Sequence, residues 1–107
     1  MLELTEQAAK ANPRDAQTQG TLAFLYAAQH DSARALQRAQ SALALGGDDP
    51  NVLALVASTY ELLGNRQQAL AFTKRAVDKG YSTQSLEGDP DMQSLIKDPA
   101  FASIQPK

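Results

Sequence analysis

Displaced by 34 positions, this chain falls on itself: Ala23 meets Ala57, Tyr26 meets Tyr60, Ala35 meets Ala69, Leu36 meets Leu70, Ala42 meets Ala76, and Leu43 meets Val77. The matched residues are apolar or small, the kind that set how closely helices approach. Recurrence with a period of about 20–50 residues is the mark of a repeat architecture, in which each unit buries its apolar face only against its neighbours. That restricts the chain more than any single motif in it does.

Each unit reads as two helical patterns separated by a short break. In the second unit, Asp49 followed by Pro50 is a start signal, an acidic N-cap before a proline at the first helical position. Leu53, Val56, Ala57 and Tyr60 then follow the spacing of one helix face. Gly64–Asn65 is expected to end that helix, because both residue types tolerate the left-handed conformation of a C-terminal cap. Ala69, Leu70, Phe72, Ala76 and Val77 mark a second amphipathic helix that Gly80 closes. The first unit repeats the plan with Leu22, Ala23 and Tyr26, a break at His30–Asp31, and Ala35, Leu36, Ala39, Ala42 and Leu43 running to Gly46–Gly47. Gly20 falls inside the first helix, at about 1 kcal/mol relative to alanine.

This pattern resembles the tetratricopeptide repeat, whose 34-residue signature is W-x2-L-G-x2-Y, then A-x3-F, then P. The aligned positions here are Gln19, Leu22, Ala23, Tyr26, Ala35, Ala39 and Gly47, then Leu53, Val56, Ala57, Tyr60, Ala69, Thr73 and Tyr81. The chain departs from the signature at its tryptophan, phenylalanine and proline, and keeps the small residues and the tyrosine. The resemblance implies an all-α, antiparallel helix-pair solenoid with Tyr26 and Tyr60 packed between the helices of their own units. It divides residues 1–107, a single repeat domain, into a second helix of a truncated repeat (1–15), two repeats (16–49 and 50–83) and a C-terminal cap of short helices (84–107). Residues 1–12 would be an orphan helix whose usual neighbour lies upstream, so the chain is expected to be the C-terminal part of a longer protein. The tail, with Asp89–Pro90 and Asp98–Pro99 starts, is similar to the closing segment of bacterial multidomain repeat proteins. In those, the array follows a serine/threonine kinase, a cyclase or a DNA-binding regulator domain.

Other readings lack residues to support them. A net charge of −2 gives no basic footprint for nucleic acid, and Arg34, Arg38, Lys74, Arg75 and Lys79 read as solvated helix edges. Without cysteine there are no disulfides or thiolate metal sites. No run of about 18 apolar residues is present to cross a membrane, and "MLELTEQAAK" lacks the basic start and apolar core of a signal peptide. His30, the one histidine, has only Asp31 beside it and reads as a turn residue. Asp49, Asp89 and Asp98 read as N-caps rather than calcium ligands. No phosphate loop, nucleophile elbow or zinc helix motif occurs. The expectation is a non-enzyme with no cofactor, no metal and no catalytic residue, placed in the cytoplasm.

Function then passes to the concave face that stacked helix pairs create. The resemblance places Gln17, Thr21, Phe24 and Ala28 on that face in the first unit, with Asn51, Leu55, Ser58, Glu61 and Leu62 in the second. Tetratricopeptide proteins that clamp the acidic C-termini of chaperones use Lys, Arg and Asn there. Here only Asn51 qualifies, so such peptides are not expected to bind. Phe24, Leu55 and Leu62 suggest instead an apolar strip for a peptide or amphipathic helix. The partner implied is a protein or peptide. The alternative is a regulatory or self-associating appendage of a larger bacterial enzyme or regulator, with exposed repeat faces stacking on a second copy.

Overall fold

The computed structural model describes residues 2–104, and among them every regular element is helical. Five longer helices run in order: α1 (Leu2–Ala11), α2 (Ala16–Ala28), α3 (Ser32–Gly46), α4 (Pro50–Leu62) and α5 (Arg66–Asp78). Two short helices follow, α6 (Thr83–Glu87) and α7 (Gln93–Ile96), interleaved with 3-10 turns at Pro90–Met92 and Pro99–Ser103. The protein is thus all-α, with helices adjacent in sequence packed on one another: α1 on α2, α2 on α3, and α4 on α5, while α2 also lies along α4.

The helix starts follow from side chains that accept hydrogen bonds from otherwise unpaired first-turn amides. Asp15 accepts from Gln17 N at 3.1 Å, and Asp49, 34 positions on, accepts from Asn51 N at 2.8 Å. Asp31 accepts from Arg34 N and Asn65 from Gln68 N, each at 3.2 Å. Each such cap contributes about 1 kcal/mol. The repeat period is therefore present in the hydrogen bonding as well as in the apolar residues.

Turns repeat too. His30 has φ +62° and Gly64 φ +82°, left-handed residues one period apart. Behind each, the next amide reaches back five residues: Asp31 N donates to Tyr26 O and Asn65 N to Tyr60 O, both at 2.9 Å. That is the outer bond of a Schellman cap. Of the expected Gly64–Asn65 stop, only Gly64 is left-handed, and Asn65 opens the next helix. Gly46 and Gly80 align in sequence but differ in role. Gly80 is a left-handed cap with φ +108°, whereas Gly46 is the last residue of α3, and a Cβ there would come within 2.8 Å of Ala16 Cβ.

Packing explains why α4 is apolar nearly all round. It lies among α2, α3, α5 and the Pro90–Met92 turn, and Val52, Leu53, Val56 and Ala57 are fully enclosed. A helix buried on most sides needs no polar face. Leu22, Ala23, Ala35, Ala42, Val56, Ala57, Ala69 and Ala76, the small and aliphatic repeat positions, are likewise sealed from solvent. Tyr26 is buried and Tyr60 half-buried. The buried Thr59 and Thr73 hydroxyls donate to Leu55 O and Ala69 O at 2.8 and 2.7 Å, so neither is left unsatisfied.

The tail folds back on the α4–α5 pair. Leu86, Met92, Leu95, Phe101 and Ile104 join the same core cluster as Val52, Leu53 and Phe72. Asp89 and Asp98 cap the two 3-10 turns through Asp91 N and Ala100 N, both at 2.9 Å. Arg66 ties the tail down, donating to Asp98 Oδ2 at 3.0 Å while it forks onto Glu61.

Candidate binding cleft

Where α2 and α4 run side by side, Gly20 lets Leu55 approach so closely that a Cβ at residue 20 would sit 3.1 Å from Leu55 Cδ1. Along this seam opens a cleft of about 220 Å³ lined by Gln17, Thr21, Asn51, Ala54, Leu55, Ser58, Tyr81 and Asp89. Gln17 and Thr21 are one turn apart on α2. Asn51, Ala54, Leu55 and Ser58 follow the i, i+3, i+4, i+7 spacing of a single helix face. The far wall belongs to the segment after α5. Tyr81 closes the α5 cap by donating its amide to Ala76 O at 2.9 Å, and Asp89 caps the first turn of the tail.

The sequence-derived site is partly gathered here. Gln17, Thr21, Asn51, Leu55 and Ser58 line the cleft together. Phe24, half-buried, and Ala28, exposed, lie farther along α2 and do not line it. Leu62 packs against the cluster of Leu22, Tyr26 and Ala27. Glu61 is committed elsewhere, its carboxylate bridged by Arg66 Nε at 2.7 Å and Nη2 at 2.6 Å, with its side chain only 10% exposed. Tyr81 and Asp89 are additions. Sequence alone aligns Tyr81 with the closing position of a repeat signature and gives Asp89 a capping role, and neither reading places them beside α4.

The cleft's electrostatics are simple. Among the described residues Asp89 is the one charged residue lining it, and it is half-buried. The Tyr81 phenol titrates above its ordinary range, first because burial disfavours the phenolate and then because Asp89 repels it. Tyr81 and Asp89 therefore share one electrostatic environment. Thr21 Oγ1 is turned to its own helix, donating to Gln17 O at 3.0 Å.

A second cleft, about 440 Å³, lies between α1 and α2 and shares Gln17 and Thr21 with the first. Leu4, 68% exposed, lines it beside Thr5 and Ala8. Behind it, the buried Gln19 amide holds the α1–α2 turn to α3, donating to Pro13 O at 3.2 Å and accepting from Arg38 Nη1 at 3.1 Å. Among the described residues no group of three His, Asp or Glu side chains is placed to hold a metal ion, and no helix is long and apolar enough to cross a membrane.

No protein-family model, no curated protein and no solved structure matches this chain.

Proposed function

We propose that this chain is a tetratricopeptide-like helix-pair solenoid that acts as a non-catalytic protein-interaction module, taking a peptide or helix in the cleft between α2 and α4. The observation that carries this reading is the open seam between the first helices of the two pairs. Five residues named from the repeat register line it together, in a surface that is small, weakly polar and partly apolar. Shape and hydrogen-bonding groups for a chain are present there, and a reactive constellation is not.

Selection of a displayed peptide library against the full chain tests the reading. A selected peptide should shift the amide resonances of Gln17, Asn51 and Ser58. Asn51→Trp, at an exposed position on the rim, and Leu55→Asp should each abolish binding while the helical circular dichroism persists. Binding that survives both substitutions places the site elsewhere. Acidic chaperone-tail peptides should show no micromolar affinity in calorimetry, because no lysine or arginine lines the cleft and Asp89 repels them.

A second reading, self-association as a regulatory appendage of a larger bacterial protein, draws on exposed Leu4 and the wide α1–α2 cleft. Sedimentation across concentrations separates the two, since a dimer lost in Leu4→Lys favours stacking and a monomer favours the cleft.

A further inference from the structure

Resting on the reading above, we infer that the α2–α4 cleft selects a cationic side chain, lysine or arginine, of the bound segment, and that Asp89 is the residue that pairs with it. The argument begins with the distribution of charge. Ion pairs among the described residues engage the carboxylates of Asp31, Asp48, Glu61, Asp78 and Asp98. Half-buried Asp89 is in none of them; Glu6 and Asp91 share that property, but of the three only Asp89 lines the cleft.

The cations of the second helix pair are already engaged. Arg66 is forked onto Glu61 and Asp98, Arg75 lies over the Phe72 ring at 5.0 Å, and Lys74 and Lys79 pair with Asp78 and Asp48. Within the cleft, then, a fixed negative charge faces a cavity with no positive charge in its lining.

Geometry holds that carboxylate ready. Asp89 Oδ1 accepts from Asp91 N at 2.9 Å, which fixes the side chain as a cap in the lining of the cleft. A group that is already ordered loses little freedom when it pairs. Tyr81 lines the cleft with it, and an aromatic ring beside a carboxylate is a setting in which an ammonium or guanidinium is favoured over a neutral group. The amide oxygens of Gln17 and Asn51 add acceptors along the cleft. A divalent metal would need several more oxygen ligands than one carboxylate provides, and an anionic ligand would be repelled by Asp89.

The test uses the full chain and a minimal probe, N-acetyl-arginine amide, titrated by NMR against N-acetyl-citrulline amide, which has nearly the same shape without the charge. The arginine probe should give saturable shifts at Ser58, Tyr81 and Asp89 that weaken with added salt. The citrulline probe should bind about five- to tenfold more weakly, a usual size for one partly buried charge pair. Asp89→Asn keeps an N-cap acceptor, so the turn stays folded, and should remove the preference between probes. Equal affinity for the two probes, no saturable shift with either, or a preference that persists in Asp89→Asn each overturns the inference. If library-selected peptides occupy the cleft without a basic residue, the binding module stands and the charge selectivity falls. If acetyl-arginine amide binds at Asp89 while every selected peptide binds elsewhere, the selectivity stands and the peptide groove falls.

Discussion

The two helix pairs, α2–α3 and α4–α5, share caps, turns and small contact residues one period apart, yet they are built from different chemistry where they meet their outer neighbours. In the first pair, Gln19 and Arg38 are joined by a hydrogen bond against the α1–α2 turn, and the Tyr26 ring lies under the Arg34 guanidinium at 5.8 Å. At the same positions of the second pair stand Leu53, fully enclosed, and Phe72, stacked on Tyr60 at 5.5 Å with the rings nearly parallel. The first pair meets a single helix through this polar contact and a small apolar one, in which Ala9 and Leu2 pack against the cluster of Leu22 and Tyr26. The second meets a folded tail through an apolar one, with one ion-pair cluster at Arg66. The period thus fixes how the helices of a unit approach, while the residues between the matched ones are adapted to whatever covers that unit.

Exchanging residues between the pairs breaks this comparison most sharply. Leu53→Gln removes an enclosed aliphatic side chain and buries an amide without a designated partner, and should cost on the order of 3–5 kcal/mol in urea unfolding. The reverse change, Gln19→Leu, leaves Arg38 and Pro13 O without their amide partner at a cost of about 1–2 kcal/mol. Adding Arg38→Phe, which completes the second pair's apolar combination beside a cavity of about 220 Å³, should recover at least about 1 kcal/mol through coupling. Additive losses would mean that Gln19 and Arg38 do not act as a unit.

How much of this could be read in the sequence depends on the range of the interaction. Asp49–Pro50, Gly64, and the apolar spacing of Leu53 to Tyr60 are local signals, and the helices stand where these place them. Gly46–Gly47 likewise marks the end of α3, whereas the close approach of Ala16 to Gly46 is a long-range contact that no local signal carries. The repeat register puts Glu61 at a groove position, but its fate is decided by Arg66 and by Asp98, which lies 32 residues beyond Arg66. Tyr81 and Asp89 reach the cleft because the tail turns back after Gly80. No periodicity reports that path, since the period ends there.

The Arg66 cluster has no counterpart in the first pair, and pH can isolate it. Asp98 titrates below its ordinary value, first because the Ala100 amide bonds the charged form and then because Arg66 does. A carboxylate whose folded pKa is depressed contributes stability that is present above its unfolded pKa and is lost as pH falls through the folded one. Asp98→Asn retains a cap acceptor for Ala100 and removes the charge. The stability gap between wild type and Asp98→Asn should therefore be open at neutral pH and close as pH drops below the ordinary aspartate range. A gap that is absent, or that stays constant down to strongly acidic pH, would mean that the Asp98 charge does not hold the tail, which then rests on Leu86, Met92, Leu95, Phe101 and Ile104.

The smallest effect probes the feature the two pairs share most closely, the left-handed turn residue. A non-glycine residue at positive φ costs about 1–2 kcal/mol, so His30→Gly should stabilise by roughly 0.5–1 kcal/mol after glycine's extra chain entropy, about 0.5–1 kcal/mol, is subtracted. Gly64→His should do the opposite by a similar amount, and nothing lies within 4 Å of a Cβ built at Gly64, so the loss would be conformational rather than steric. Because the two turns share no hydrogen bond, the double exchange should return the chain to within about 0.5 kcal/mol of wild type. A net change well beyond that would mean that His30 makes a contribution of its own, and that the turns are alike in backbone but not in what their side chains do.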